Sequence, residues 1–151
     1  MLIRAATEND VPDLVRMMRD CHSRTVHAWT TPFDEGTFSA LTRRLMASPD
    51  AVLLVAEDES GVCGMAAALC YPHWWNRHHL TGQELLWWVD EAKRRTRAGM
   101  LLFSALEDWA RHKGLRTFLT AAATDFTPDS VRRFYKRRGF RPNEVIYTKE
   151  M

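Results

Sequence analysis

A strand–loop–helix–strand unit in the second half of the chain constrains the fold more than any other feature. Leu85 to Val89 reads as a buried strand, and an amphipathic helix begins at Gly99, with its apolar side chains at helical spacing. Lys113-Gly114 is a common helix end, and Leu115 to Ala122 follows as another apolar strand. A helix between two strands is the connection that a parallel pair requires. The pattern therefore predicts an α/β protein with a parallel crossover.

The elements around this unit complete the order β-α-α-β-β-β-α-β-α-β. They are the strand Leu2–Ala6, helices that begin at Asp10 and Glu35, the hairpin of Ala51–Ala56 and Val62–Cys70, the helix Ser130–Arg138, and the strand Val145–Thr148. No linker, repeat or low-complexity segment divides the 151 residues. We therefore predict one domain over residues 1–151, with a single mixed β-sheet flanked by helices.

Composition narrows the class of function. The formal net charge is +2, which is too small for a general nucleic-acid binder. No apolar run approaches the roughly 20 residues of a membrane span, and the first residues read as a strand and not as a signal segment. We therefore expect a cytoplasmic protein without a membrane or nucleic-acid partner. The three cysteines have no metal-binding spacing, so we expect free thiols and no metal. A homodimer is possible, but composition does not decide it.

Basic residues are concentrated before the crossover helix. Lys93, Arg94, Arg95 and Arg97 lie between the strand and Gly99. Backbone N–H groups at a helix start lack intrahelical partners, and the helix dipole attracts anions there. The segment could therefore hold a diphosphate, with Gly99 allowing close approach of the backbone. The alternative is an ordinary solvated basic loop, which spacing alone does not exclude.

This segment resembles the acetyl-CoA pyrophosphate loop of the GNAT superfamily of N-acetyltransferases, whose signature is Arg/Gln-x-x-Gly-x-Gly/Ala. Arg94 matches the first position of the signature and Gly99 the last. Arg97 replaces the middle glycine, and Glu91 replaces a proline that is common after the preceding strand. The arginine substitution is similar to that of some phage and prophage members, which the chain also resembles in Trp87-Trp88-Val89. The resemblance covers the whole chain in element order.

A second motif lies near the C-terminus. The run Ser130–Phe140 resembles the Phe-Tyr-x-x-x-Gly-Phe segment of the same family, with Phe134-Tyr135 and Gly139-Phe140 at the defining positions. Family members often carry an asparagine seven residues before the tyrosine. Pro128 occupies that position here, so we expect one contact to the pantetheine region to be lost.

The resemblance implies an acetyl-CoA-dependent N-acetyltransferase, with acetyl-CoA as the acetyl donor. A backbone N–H of Val89 or a close neighbour would polarise the thioester carbonyl. The family places a tyrosine close to the CoA sulfur, which makes Tyr135 the candidate general acid; the alternative is a structural aromatic residue. The residues assigned to the cofactor are Trp88, Val89, Arg94, Arg95, Thr96, Arg97, Ala98, Gly99 and Met100.

Glu84 is the candidate general base. A lysine-like amine has a pKa of about 10.4 and is mostly protonated at neutral pH, so a positioned base assists its attack. Glu84 directly precedes the apolar strand, where it could face the cleft with its pKa raised by the neighbouring Trp87 and Trp88. Many glutamates at strand starts are simply solvated. Asp90 and His73 are weaker alternatives for the base.

The acceptor is expected against aromatic side chains. The segment Pro72–His79 contains three histidines, but adjacent His78 and His79 in a strand point to opposite faces, which argues against a shared metal ion. Tryptophan and histidine commonly line small-molecule pockets. The residues assigned to the acceptor site are Trp29, Phe33, His73 and Trp74. Pro72–His79 could equally be a surface or dimer-contact loop.

The chemical identity of the acceptor stays open between a small-molecule amine and a peptide or protein amine. The main alternative class of function is a non-catalytic acyl-CoA-binding or partner-binding module on the same fold, because a fold does not establish activity. A nucleic-acid binder that uses the basic clusters is a third class. It would show steeply salt-dependent binding, and the nearly neutral total charge argues against it.

Overall fold

The computed structural model describes residues 1–25, 27–122 and 129–149. The strands are β1 (Leu2–Ala5), β2 (Ala51–Asp58), β3 (Gly61–His73), β4 (Asn76–Val89) and β5 (Thr117–Leu119). The helices are α1 (Val11–Ser23), α2 (His27–Thr30), α3 (Glu35–Ala47), α4 (Ala98–His112) and α5 (Asp129–Arg137). Short 3₁₀ turns, Glu8–Asp10 and Glu91–Lys93, precede α1 and α4.

The strands form one sheet in the order β1-β2-β3-β4-β5. β1 to β4 are antiparallel neighbours, and β5 runs parallel to β4. Helix α4 makes the crossover between the two parallel strands. The predicted α/β class, with a single mixed sheet and flanking helices, is therefore confirmed.

Helices cover both faces of the sheet. Side chains alternate between the two faces along a strand. Met65 and Ala67 of β3 accordingly belong to the core cluster of α1 and α3, whereas Ala66 and Ala68 belong to that of α4. Because β3 and β4 are packed from both sides, the backbone of the central sheet has little freedom to move.

The β3–β4 hairpin is longer than the sequence predicts. β3 continues to His73 and β4 begins at Asn76, so the turn consists of Trp74-Trp75. The outer ends of these strands are only partly buried or exposed. They therefore lack the alternating apolar pattern from which a strand is recognised.

The strand predicted over Val145–Thr148 is wrong. Residues 141–149 form no regular element and are exposed; Ile146 and Tyr147 are 84% and 90% exposed. A strand requires a hydrogen-bonded neighbour, and within the described ranges β5 pairs with β4 alone. β5 is also shorter than the expected Leu115–Ala122. Pro128, at the position of the family asparagine, lies outside the described residues.

Candidate active site

The parallel strands β4 and β5 separate part-way along the sheet. They pair only over Thr81–Gln83 of β4 and Thr117–Leu119 of β5. β4 then continues to Val89, paired on its other edge with β3. In the part of the chain that the structure describes, no strand pairs with the β5-side edge of residues 84–89. The backbone N–H and C=O groups on that edge therefore line a cleft.

Alternation along β4 identifies which backbone groups face this cleft. The Asp90 N–H donates to the Cys63 carbonyl on β3 at 2.9 Å. Successive residues of a strand direct their backbone groups to opposite edges, so the N–H groups of Val89 and Trp87 point to the cleft. The Arg94 Nε donates to the Val89 carbonyl at 3.2 Å on that same side.

A β-bulge sets the direction of Glu84. Leu86 pairs with Ala67, but Glu84 pairs with Ala68, so Leu85 is an extra residue in β4. Without the bulge, Glu84 would share the face of Leu86, which packs with α1 and α3. The bulge turns Glu84 to the face that α4 covers.

Thr120 joins Glu84 to Tyr135 on that face. The Thr120 hydroxyl donates to a Glu84 carboxylate oxygen and lies 2.9 Å from the Tyr135 hydroxyl. The Ala121 backbone also hydrogen-bonds Glu84, and the Tyr135 hydroxyl donates to the Ala121 carbonyl at 3.2 Å. The structure thus brings the two side chains predicted for acid–base chemistry into one hydrogen-bonded group, which we call the Glu84–Thr120–Tyr135 cluster.

Burial dominates the acid–base properties of this cluster. It raises the pKa of Glu84, against the opposing effect of hydrogen bonds from Thr120, Ala121 and Tyr135. Burial also raises the pKa of Tyr135, and the negative charge of Glu84 adds to that rise. Glu84 keeps part of its surface accessible. The cluster therefore combines a partly buried carboxylate of increased basicity with a phenol that stays protonated at neutral pH.

Aromatic packing fixes the ring of Tyr135. Its centroid lies 6.1 Å from that of Trp87, 5.5 Å from that of Phe103 and 5.7 Å from that of Phe140. Gly139, at positive φ, closes α5, and the Phe140 N–H then donates to the Tyr135 carbonyl at 3.0 Å. The Phe-Tyr and Gly-Phe pairs of the second motif therefore build one packing unit that holds the phenol in place.

Three ion pairs hold the loop between β4 and α4, one of them between Asp90 and Arg16 at 2.9 Å. The Lys93 ammonium pairs with Asp58 at 2.6 Å, and Arg24 pairs with Glu91 at 3.0 Å. The Ala98 N–H donates to the Thr96 hydroxyl at 3.2 Å where the chain enters α4. The loop is thus tied to the β2–β3 hairpin on one side and to the end of α1 on the other.

The start of α4 suits an anion. No side-chain hydrogen bond from Arg97 caps the helix, and the N–H groups of Gly99 and Met100 lie in the first turn, where a helix offers no acceptor. Arg95 and Arg97 are exposed, and neither forms an ion pair within residues 1–25, 27–122 and 129–149. The helix dipole and the two guanidinium groups together favour a phosphate group at this point.

Arg94 and Gly99 have different surroundings from those expected. The Arg94 guanidinium lies over the Trp88 ring, 4.5 Å from its centroid, and so braces the end of β4. A Cβ added to Gly99 would meet Trp87 and Val89 at 3.5 and 3.6 Å, an ordinary contact. The Trp87 indole N–H donates to the Gly99 carbonyl at 3.0 Å. The missing side chain of Gly99 thus faces the sheet, and only its N–H is available to a phosphate.

The structure does not bring His73 and Trp74 to the acid–base cluster. They lie at the tip of the β3–β4 hairpin, where His73 pairs with Asn76. Eight residues of β4 separate Asn76 from Glu84, which corresponds to about 26 Å of extended strand. A small acceptor at Glu84 would therefore not touch these two side chains, and His73 is too far away to act as the base.

Trp29 and Phe33 lie on the segment between α1 and α3. Trp29 is 87% exposed, and the Phe33 ring packs against His22 and Phe38 with centroid distances of 5.6 and 5.9 Å. The ion pair of Arg24 with the loop after β4 joins this segment to the C-terminal end of β4. Their assignment to one wall of an acceptor pocket stays a prediction.

The remaining candidate groups have structural partners. Asp90, the other alternative base, accepts two hydrogen bonds from the Arg16 guanidinium at 2.9 and 3.1 Å. Cys21, Cys63 and Cys70 are free thiols. Within the described ranges there is no cluster of metal-binding side chains. None of the helices there has the length and apolarity to cross a bilayer.

Comparison with known proteins decides the family. The sequence profile described as Acetyltransferase (GNAT) family matches residues 13–140. The chain belongs to the GNAT acetyltransferase family. The two motifs near Arg94 and Tyr135 therefore indicated the correct family. A comparison with curated proteins found no match.

Solved structures share this GNAT fold at low sequence identity. An aminoglycoside antibiotic 6'-N-acetyltransferase from Acinetobacter haemolyticus has a TM-score of 0.75 and 19% identity, with 100% of this chain and 99% of that chain covered. A ribosomal-protein-alanine N-acetyltransferase from Brucella melitensis has a TM-score of 0.73 and 14% identity, with 100% of both chains covered. A transcriptional regulator from Bacillus halodurans has a TM-score of 0.80 and 16% identity, with 99% of both chains covered. These likenesses show the fold alone.

The sequence gives no signal for Thr120. It is one of two threonines within the predicted strand Leu115–Ala122, outside both family motifs. Its position beside Glu84 depends on the parallel pairing of β5 with β4 and on the bulge at Leu85. Both are tertiary features, so spacing along the chain could not have singled it out.

Proposed function

We propose that this GNAT protein is an acetyl-CoA-dependent N-acetyltransferase that transfers the acetyl group of the CoA thioester to a primary amine. The observation that carries the proposal is the Glu84–Thr120–Tyr135 cluster, at the point where β4 and β5 separate. Aminolysis of a thioester is assisted by a base that takes the proton of the amine and by an acid that protonates the leaving thiolate, and this cluster holds one candidate for each role.

The residues at the other end of the cleft fit acetyl-CoA. Its diphosphate would lie at the α4 start, held by the backbone from Arg95 to Met100 and by the Arg95 and Arg97 side chains. Arg94 and Trp88 would form the adjoining wall. Val89 and Glu84 are five residues apart, about 16 Å of extended strand. This separation suits an elongated donor with its phosphates at one end and its reactive thioester at the other.

Trp87 is the neighbour of Val89 that best fits the role of carbonyl-polarising amide. Both N–H groups face the cleft, but Trp87 is only three residues from Glu84, and its ring lies 6.1 Å from that of Tyr135. An N–H donor aimed at the oxygen on which charge develops contributes about 10²–10³-fold in rate. We therefore assign this role to Trp87.

The acid–base roles follow from the cluster. Glu84 accepts the proton that the acceptor amine loses, because burial makes its carboxylate more basic than usual through a raised pKa. Tyr135 donates its phenolic proton to the departing thiolate. Each role is expected to contribute about 10²–10⁴-fold at most. Acetyl-CoA supplies the activated acetyl group when it is bound.

The acceptor is a small-molecule or a peptide or protein amine, approached past the exposed segment of Trp29 and Phe33. The names of the structural neighbours include acceptors of both kinds, which supports an amine without deciding its class. The cytoplasmic location, the resemblance to phage members and a homodimer stay predictions.

A thiol-release assay tests the function directly. With acetyl-CoA as donor, we expect free thiol to appear only when a suitable amine from a mixed panel of aminoglycosides, polyamines and peptides is added. Mass spectrometry of the product should show one acetyl group on nitrogen. A protein that binds acetyl-CoA but releases no thiol with any amine would instead be a non-catalytic acyl-CoA-binding module.

The assigned diphosphate site predicts a ligand-dependent gain in stability. Acetyl-CoA at about 100 times its Kd should stabilise the fold by about 2.7 kcal/mol, or roughly 5–10 °C in Tm. S-acetylpantetheine lacks the phosphates and should raise the Tm much less. The measurement is a thermal melt with each ligand at the same concentration.

The matched variants for this melt are Arg95→Ala/Arg97→Ala and Arg77→Ala. Arg95 and Arg97 flank the α4 start, whereas Arg77 is an exposed arginine at the distant hairpin tip. In the double variant, the increase in Tm caused by acetyl-CoA should be nearly as small as that caused by S-acetylpantetheine. Arg77→Ala should keep the wild-type difference between the two increases. Equal stabilisation of the wild-type protein by both ligands would remove the phosphate role of the α4 start.

A further inference from the structure

We infer that Thr120 relays a proton from Glu84 to Tyr135 after each acetyl transfer. The inference rests on the proposed function, because it concerns the protons that the acid and the base of that reaction give up and take up. It assigns a catalytic role to a residue that lies outside both family motifs.

The geometry places the Thr120 hydroxyl between the two groups. It is hydrogen-bonded to Glu84 and lies 2.9 Å from the Tyr135 hydroxyl. A hydroxyl can donate one hydrogen bond and accept another at the same time. With Glu84 ionised, Thr120 donates to the carboxylate and the Tyr135 hydroxyl donates to the Ala121 carbonyl at 3.2 Å, so the Thr120 oxygen keeps a lone pair that can accept a proton from Glu84.

The transfer leaves the cluster with its protons misplaced. Glu84 holds the proton lost by the amine, and Tyr135 lacks the proton given to the thiolate. Glu84 can now donate its proton to the Thr120 oxygen while Thr120 donates its own to the Tyr135 oxygen. One proton moves across each hydrogen bond. The Glu84 carboxylate, the Thr120 hydroxyl and the Tyr135 phenol are restored. This balance applies to an amine that attacks in its neutral form; a protonated amine first loses one proton to solvent.

Electrostatics favour this coupling. A tyrosinate beside an ionised Glu84 would put two negative charges in one buried cluster, and the charge of Glu84 accordingly raises the pKa of Tyr135. Tyr135 gives up its proton more easily once Glu84 has been neutralised by the proton of the amine. The cluster then never carries more than one negative charge, and Thr120 is the path along which that charge returns to Glu84.

Thr120→Val tests the relay, because it removes the hydroxyl with little change in volume. We expect its kcat to fall by about 10–10²-fold, a smaller loss than that expected on removal of a general acid or base. The KM for either substrate should change little. Thr120→Ser keeps a hydroxyl and should retain most of kcat. Thr117→Val is the matched control: it removes a hydroxyl three residues earlier, in β5 and 3.1 Å from that of Thr81, and should leave kcat unchanged.

A second pair of variants separates a relay from simple orientation of Glu84. In Tyr135→Phe there is no phenolate oxygen to accept a proton from Thr120. In that background Thr120→Val should therefore lower kcat no further. A residue that only orients Glu84 would lower kcat by the same factor in both backgrounds.

Equal factors in the two backgrounds, or a Thr120→Val protein as active as wild type, would overturn the relay. A wild-type protein that releases no thiol with any amine would overturn the proposed function as well. That result would be seen before any Thr120 variant is measured.

Discussion

Glu84→Gln should lower kcat/KM for acetyl transfer by about 10²–10⁴-fold, the largest effect we expect of any single substitution. Glutamine keeps the shape of the side chain and can still bond to Thr120 and to the Ala121 backbone, which both contact Glu84. It cannot accept a proton from the amine. The loss should therefore appear in the rate of transfer, measured by thiol release, and not in the affinity for acetyl-CoA.

The pH dependence adds an independent signature. Burial raises the pKa of Glu84, so the wild-type kcat/KM should rise with pH along a limb displaced above the usual carboxyl range. This limb should be absent in Glu84→Gln. Glu59→Gln, the same substitution in the exposed β2–β3 turn, should keep both the limb and the rate.

The stability of Glu84→Gln should change in the opposite direction from its activity. A raised pKa means that the folded state binds the Glu84 proton more tightly than the unfolded state does. The wild-type protein therefore loses stability as the pH rises from the unfolded to the folded pKa of this group. The variant lacks this loss. As the pH rises between the two pKa values of Glu84, the Tm of the variant should therefore increase relative to that of the wild type. An active Glu84→Gln enzyme with an unchanged pH profile would exclude Glu84 as the base.

The sequence allowed Glu84 and Tyr135 to be singled out for different reasons. Glu84 stood out because it directly precedes an apolar strand, where it could face the cleft beside Trp87 and Trp88, and Tyr135 stood out because of its family motif. Their contact could not be predicted. By simple alternation Glu84 would face α1 and α3, and only the extra residue Leu85 turns it toward Tyr135. One-dimensional patterns do not reveal a bulge, because it is fixed by the register of the neighbouring strand.

The lost strand and the position of the hairpin tip have a common physical cause. Val145–Thr148 has the composition of a strand, but strand formation depends on a free edge at the right place, which is a property of the sheet. His73 and Trp74 have the composition of a binding site, but the length of the hairpin carries them away from Glu84. Local composition predicted which elements could form; the distances between them followed from topology.

Tyr135→Phe should lower the rate of acetyl transfer by about 10–10³-fold, at or just below the usual range for general acid catalysis. The ring would keep its packing against Trp87, Phe103 and Phe140. Only the hydroxyl and its bonds to Thr120 and to the Ala121 carbonyl are lost. Loss of such a neutral hydrogen bond costs about 1 kcal/mol of stability, so the variant should fold and bind acetyl-CoA nearly normally.

The pH profile of Tyr135→Phe should also change at its acidic side. The hydrogen bond from Tyr135 lowers the pKa of Glu84, so its removal should move the rising limb to higher pH. At the alkaline side, the raised pKa of the phenol keeps it protonated. The wild-type rate should therefore not decline there through loss of this proton.

Two observations distinguish the general acid from a structural tyrosine. Tyr71→Phe removes another tyrosine hydroxyl beside β4, which bonds to the Gln83 side chain at 3.2 Å in the exposed part of the hairpin; we expect full activity from it. Because Glu84 and Tyr135 act as one cluster, the double variant Glu84→Gln/Tyr135→Phe should lose much less than the product of the two single losses. A Tyr135→Phe enzyme with a lowered Tm but a normal rate would make the residue structural, and protonation of the thiolate would then fall to water.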